Sequence, residues 1–474
     1  MDRETKLATQ SIPKLLISLA IPSILAQLVN IIYNMVDRIY IGRMADGTTA
    51  MSALAVSLPV VTIIMAFTML VGTGGAPLTA IKLGQQDKDG ADKVLTTSFV
   101  CLIISAVTLT VIILIFAKQI LYLFGANDSN IVYATQYVRI YAVGTIFVHL
   151  SFGLNAYITS QGFAKFSMAT ILIGAILNII LDPIFIFVFD MGVSGAALAT
   201  ILAQGISAIW VLKFFFSPKT MVKIKRKYLK PDPKIVFSIV ALGISPFVMY
   251  LTESLLQISY NNQLSLYGGT IAVSSYTILI STYQMLNSTV MGFSQGASPI
   301  LSYNYGAGLY SRVRATFKLL IIIAVSFSLI FTIFITTFPE VIAKIFTNDA
   351  DNIAMTAWAM SVYFMGSYIY GAQNACQQCF LALGQAKRSL SMALFRKVVL
   401  LIPLVYILPI LLGDSQFAIN FAEPIAHLVG EGDKVFAVLF AEAISDCTAA
   451  IVTFTLFMSF YRNYLRLPDK EWKR

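Results

Sequence analysis

Apolar residues run along this chain in long stretches, without the alternation of a half-buried strand or the one-sided stripe of a soluble helix. Uncharged windows lie at 15–36, 47–81, 94–117, 140–164, 191–212, 254–311, 319–339, 352–386, 398–413 and 447–461, and a membrane-crossing helix needs about 20 residues. With spans that carry one or two interior acids admitted, the pattern predicts helices near 14–42, 52–81, 94–117, 131–158, 166–189, 194–216, 235–260, 270–303, 314–338, 353–381, 388–412 and 435–461. A transmembrane barrel would show alternating segments of about ten residues, whereas runs such as Ile321 to Phe334 are apolar on nearly every face. The expected fold class is an all-α polytopic membrane protein with twelve transmembrane helices.

The two halves superpose as sequence. Gly162-Phe163-Ala164-Lys165-Phe166-Ser167 meets Gly384-Gln385-Ala386-Lys387-Arg388-Ser389 at a shift of 222 residues. The same shift carries Gly74, Pro77 and Gly84 onto Gly296, Pro299 and Gly306, and Tyr141 and Gly144 onto Tyr363 and Gly366, while Pro22 falls near Pro246. Six spans per half keep the repeats parallel, which implies two six-helix lobes about an axis along the membrane normal with a cavity between them. Helix-breaking Pro and Gly at matching positions favour a transporter over a scaffold.

Composition supports this solvent. Hydrophobic residues make up 58% and charged residues 12% of the chain, and the mean hydropathy is +0.79, where a soluble domain is about 25% charged. The net charge of +10 could suggest nucleic acid, but its placement points to membrane topology. Only Arg43, Lys118, Lys344 and Lys434 fall on one side of the bilayer and only Arg38 and Arg139 well inside spans; the other basic residues, Arg396 and Lys397 among them, are assigned to the innermost turns or loops of the opposite side. By the positive-inside rule both termini are cytoplasmic. The chain then divides into a first lobe over 1–216, a basic cytoplasmic linker over 217–234 facing anionic lipid, a second lobe over 235–461 and a basic tail over 462–474. The first span lacks the cleavage pattern of a signal peptide and holds Gln27, Asn30, Asn34 and Asp37, so it is expected to be retained.

Charges inside spans cost at least ~3 kcal/mol on insertion scales when unpaired, and are functional candidates by default. Asp37, Asp182, Glu253, Glu442 and Asp446 are such residues, at estimated depths of about 8, 12, 12, 11 and 17 Å below the outer boundary. Asn178 and Asp182, four residues apart, share a helix face, and Thr200 on the next span lies at a similar level, about 9 Å down. Carboxylate, amide and hydroxyl oxygens suit a hard cation such as Na+, and carboxylates away from water can hold protons. Glu442 and Asp446 form a second acidic face, with Glu253 opposite; it would either titrate or line a vestibule that attracts cationic cargo. No phosphate-binding Gly-x4-Gly-Lys-Ser/Thr run occurs, His149 and His427 do not cluster, Cys376-x-x-Cys379 lacks a second ligand pair, and no nucleophile triad is present, so neither ATP hydrolysis nor an enzyme is expected.

Pro22 to Gly42 with Tyr33-Asn34-Met35-Val36-Asp37, Asn178-Ile179-Ile180-Leu181-Asp182-Pro183, and Gln295-Gly296-Ala297-Ser298-Pro299 with Tyr303-Asn304-Tyr305-Gly306-Ala307-Gly308 resemble the multidrug and toxic compound extrusion (MATE) family over nearly the whole chain. The resemblance implies a V-shaped pair of lobes and export of amphiphilic organic cations in exchange for Na+ or H+, with no cofactor. It carries the family's first-lobe cation site onto Tyr33, Asp37, Asn178, Asp182 and Thr200, and its bending first helix onto Pro22. Some members add a glutamate on helix seven, matched by Glu253, and an aspartate on helix ten, where this chain has Gln373, Asn374, Gln377 and Gln378. The expected partners are small cationic amphiphiles and membrane lipids, with no nucleic acid, and the chain is expected to act as a monomer in the plasma membrane. A flippase for a lipid-linked precursor is the alternative, and it should line its cavity with several Arg or Lys.

Overall fold

The structure is a computed structural model that describes residues 3–44 and 47–470; Lys473 and Arg474 of the basic tail and the side chain of Arg3 lie outside the described residues. The spans are α1 (Ile12–Gly42), α2 (Gly47–Gly84), α3 (Lys88–Leu123), α4 (Ile131–Val143 with Thr145–Ser160), α5 (Ala164–Val188), α6 (Gly192–Phe215), α7 (233–268), α8 (270–306), α9 (Tyr310–Thr337), α10 (Ala350–Tyr363 with Tyr370–Ala382), α11 (Ala386–Leu411) and α12 (Gly432–Phe460). Local chemistry starts several of them. The Asp87 carboxylate accepts the Gly90 amide at 2.8 Å ahead of α3, and Asp232 accepts the Lys234 amide at 3.0 Å with Pro233 in the first turn of α7.

Packing is that of a protein dissolved in lipid. Ile104, Val107, Val111 and Ile115 form an exposed apolar face along α3, while buried hydroxyls return to their own helices: Ser57 to Ala53 O at 2.7 Å, Thr68 to Ile64 O at 2.9 Å and Thr282 to Ile278 O at 2.9 Å. Each leaves no polar group for the hydrocarbon.

The sequence pattern places a loop between the seventh and eighth spans, at about 261–269. Instead α7 and α8 meet at one residue, Gly269, with φ 61° and ψ −156°, a backbone region essentially confined to glycine. The chain reverses there: Lys93 pairs with Asp232 at 2.8 Å at the start of α7, and Gly306 at the end of α8 packs on Ile81 beside the same α2–α3 turn. The long connection before α12 folds as a short helix, Gln416–Ala422, held by the Trp358 indole N–H donating to Phe421 O at 2.7 Å.

The repeated glycines make the lobe interface. On α2, a Cβ at Gly74 would come 2.9 Å from Gly243 Cα of α7; its repeat mate Gly296 on α8 faces α1, where a Cβ would come 2.5 Å from Ala20 Cα. Gly84 abuts Tyr303 and Ala307, and its mate Gly306 abuts Ile81, again exchanging partners across the pseudo-twofold axis. These close approaches lie in the half of the bundle that carries Leu7 and Lys470, where Arg312 also donates to Leu7 O at 3.1 Å and Gln10 O at 2.7 Å. In the other half, α1 from Asn30 to Tyr40 has no fully buried residue. Gly74→Val or Gly296→Val should overpack the closed arrangement by about 1–3 kcal/mol and lower transport about tenfold or more while the protein still inserts. Transport assays on monodisperse purified variants check this.

The basic linker is strapped to the start of α3. Lys225 pairs with Asp92 at 2.6 Å, Lys227 with Asp89 at 2.8 Å, and the Lys223 amide donates to Asp92 at 2.7 Å. These two lysine ammoniums, expected to face lipid headgroups, have protein carboxylates as partners.

Candidate functional site

In the first lobe, residues from three spans converge. Asn178 on α5 donates to Asp182 Oδ1 at 3.0 Å and to Thr200 Oγ1 of α6 at 3.2 Å, while the Thr200 hydroxyl donates to Ala196 O at 3.0 Å. The Asp37 carboxyl of α1 comes within hydrogen-bonding reach of Asp182. After these bonds three buried oxygens remain without a partner: Asp37 Oδ1, Asn178 Oδ1 and Asp182 Oδ2. A buried oxygen left unpaired costs about 1–3 kcal/mol, and two carboxylates in contact cannot both stay charged unless a proton or a cation lies between them. The donor set, two carboxylates and an amide oxygen, fits a hard cation or a shared proton. Tyr33 lies on α1 one turn before Asp37, within the electrostatic reach of both acids. Pro22 is buried inside α1, which runs unbroken from Ile12 to Gly42.

Sequence reasoning missed two members of this neighbourhood. Tyr137 and Tyr141 on α4 are buried, stack with ring centroids 6.0 Å apart and lie close enough to feel the charge of Asp37. Their four-residue spacing on one span was the available signal.

The second lobe departs from expectation. Arg396 and Lys397, assigned from the sequence to the innermost turns of their span, lie ten and eleven residues into α11, about 15 Å from its start, and both are buried. The π-helical turn Phe395–Leu401, wider than an α-turn, carries both. Arg396 donates to Asp446 Oδ1 from Nε at 3.0 Å and from Nη2 at 2.6 Å, to Glu442 Oε1 at 3.2 Å and to the Tyr283 hydroxyl at 2.9 Å. Tyr260 donates to Glu442 Oε2 at 3.0 Å. Lys397 pairs with Glu253 of α7. The reading that only Arg38 and Arg139 lie deep within spans is therefore corrected. Glu442 and Asp446 keep 2% and 1% of their side-chain surface, against 47% for Glu253, so Glu253 alone of the three has surface to offer a ligand. On α10, where an acid is missing, the amides satisfy one another and their neighbours: Gln373 donates to Gln377 at 2.6 Å, and Ser294 donates to Asn374 at 2.9 Å.

Known proteins share this fold. A profile of the MatE family matches twice, over residues 22–184 and 246–407, once in each lobe. The chain belongs to the MATE family. It is 27% identical over 447 residues to the multidrug export protein MepA of Staphylococcus saprophyticus, covering 94% of each chain. Among solved structures, a MATE in complex with MaL6 matches with a TM-score of 0.87 at 23% identity over 98% of this chain and 99% of that one. An outward-facing multidrug resistance MATE transporter matches at 0.86 and 23% identity, over 97% and 98%. This MATE chain is thus a multi-pass membrane transporter and not an enzyme, and the family match starting at Pro22 and again at Pro246 reproduces the internal repeat.

Proposed function

We propose that this protein is a secondary antiporter that exports amphiphilic organic cations across the plasma membrane in exchange for Na+ or H+, by alternating access of its two lobes. The observation that supports the coupling site is that three neighbouring residues, Asp37, Asn178 and Asp182, each keep a buried oxygen without a partner. Thr200 orients the Asn178 amide, and Tyr33 walls the site. Occupation by a cation or proton would relieve the repulsion between the two carboxylates and let α1 pack differently above Pro22, whose missing N–H leaves the helix free to bend there. Export of drugs is supported by the relatives named for multidrug export. Both termini are cytoplasmic in this reading, with 1–216 and 235–461 as the moving lobes, 217–234 as the linker between them and 462–474 as the tail, and the chain works as a monomer.

A precursor flippase would present basic side chains to an anionic headgroup. Here Arg396 and Lys397 are matched by Glu253, Glu442 and Asp446, which favours cationic cargo. Purified protein in liposomes should expel ethidium or tetraphenylphosphonium when an inward Na+ or proton gradient is imposed, and should show little net flux with neither. A broad panel of organic cations left unmoved under both gradients would sink the reading.

A further inference from the structure

Two neighbouring cations on one π-helical turn are held in different ways. Arg396 is fixed by two carboxylates and a tyrosine hydroxyl, with the Tyr370 ring 5.2 Å from its guanidinium carbon. Among the described residues, Lys397 has one carboxylate partner, Glu253 of α7. Its side chain is 10% exposed, whereas Glu253 keeps 47% of its side-chain surface. The carboxylate is thus the accessible end of the pair and the ammonium the buried one. One turn before it, Gln377 of α10 donates to the Met249 sulfur at 3.2 Å, so Glu253 stands on the α7 face beside α10.

We propose that Lys397 is a resident counter-cation: its ammonium fills the cation subsite on Glu253 when cargo is absent, and a cationic cargo enters by taking that carboxylate from it. The idea rests on the cationic-cargo reading above and adds the residue that would set affinity and release. A lysine suits the task because its ammonium is a compact charge on a flexible four-carbon stem, whereas the forked arginine beside it is suited to staying in place. The charge balance allows the exchange. Three carboxylates, Glu253, Glu442 and Asp446, face two cations, so one more positive charge does not overfill the cluster, and Lys397 remains within the field of Asp446 after leaving Glu253. On release, the returning ammonium would displace the cargo from Glu253 and speed its exit.

Equilibrium binding of tetraphenylphosphonium and of neutral triphenylphosphine oxide to the purified full chain tests this. Lys397→Gln should bind tetraphenylphosphonium about tenfold tighter, with triphenylphosphine oxide unchanged within about twofold and efflux turnover at saturation lowered. Lys397→Arg, whose forked guanidinium should hold Glu253 more firmly, should bind tetraphenylphosphonium no tighter than the wild type. Unchanged or weaker tetraphenylphosphonium binding in Lys397→Gln, or equal shifts for both ligands, overturns the proposal. Wild-type protein that neither binds nor moves any organic cation would instead overturn the cargo reading beneath it. If Lys397→Gln does not fold, the comparison passes to Glu253→Gln and the double variant Glu253→Gln/Lys397→Gln. With Glu253 neutral, removing Lys397 should leave tetraphenylphosphonium affinity within about twofold, and a change of about fivefold or more would overturn the exchange.

Discussion

Asp37→Asn and Asp182→Asn are each expected to abolish gradient-driven efflux, by about a hundredfold or more, in protein that folds at least as well as the wild type. The two expectations have one cause. The carboxyls meet, and each retains a buried oxygen without a partner, so the pair in its charged form is held together only by whatever cation or proton it binds. An asparagine at either position supplies a permanent N–H donor to the remaining carboxylate, which imitates the occupied site and removes like-charge repulsion. Stability is therefore kept, but the cycle between loaded and empty states is lost, and with it the coupling. Efflux from liposomes under separate Na+ and proton gradients, alongside thermal unfolding in detergent, tests both halves of the expectation. Full coupled efflux in either variant removes the pair from the mechanism. Thr200→Val should be milder, since Thr200 touches the site only through the Asn178 amide.

Much of this was legible in the sequence because lipid imposes simple rules. Span positions follow from length and apolarity, and the repeat seen as Gly74 on Gly296 and Gly84 on Gly306 proved to be the lobe interface, where only a missing side chain lets two helix backbones approach. The proximity of the candidate first-lobe residues was legible for a related reason: acids and amides inside apolar windows are rare enough to single out Asp37, Asn178 and Asp182. The misses have physical causes too. Residues 254–311 form one uncharged window, and nothing in it separates a packing glycine from the reversal at Gly269, because that distinction lies in φ and ψ. Arg396 and Lys397 were drawn to the membrane edge by treating charge as a boundary. That treatment fails where the opposing charges, Glu442, Asp446 and Glu253, stand on other helices, 46, 50 and 144 residues away. Pairing over such separations leaves no local pattern. The relation between Tyr137, Tyr141 and Asp37 was hidden in the same way.

Arg396→Met is expected to be the most destabilising single change in the second lobe, costing about 3–5 kcal/mol, because it leaves Glu442 and Asp446 buried, adjacent and uncompensated. The order of effects within the network follows from charge balance. Asp446→Asn removes the closest partner of Arg396, at 2.6 and 3.0 Å, and should rank second. Glu442→Gln leaves one cation facing one acid and still offers an oxygen to the Tyr260 hydroxyl, so it should shift stability by about 1 kcal/mol or less. Arg396→Met/Glu442→Gln/Asp446→Asn, which carries no charge at these positions, should recover most of what Arg396→Met loses, since a neutral interior costs little beside an unpaired charge. Denaturant or thermal unfolding of the four purified variants measures the series. If Arg396→Met matched the wild type, or the triple variant were no better than Arg396→Met, the network would not be what fixes α11 to α12. If the order holds, the second lobe is tied across its interior by charge pairs, in contrast to the partnerless oxygens of Asp37, Asn178 and Asp182 in the first lobe, on which the proposed coupling rests.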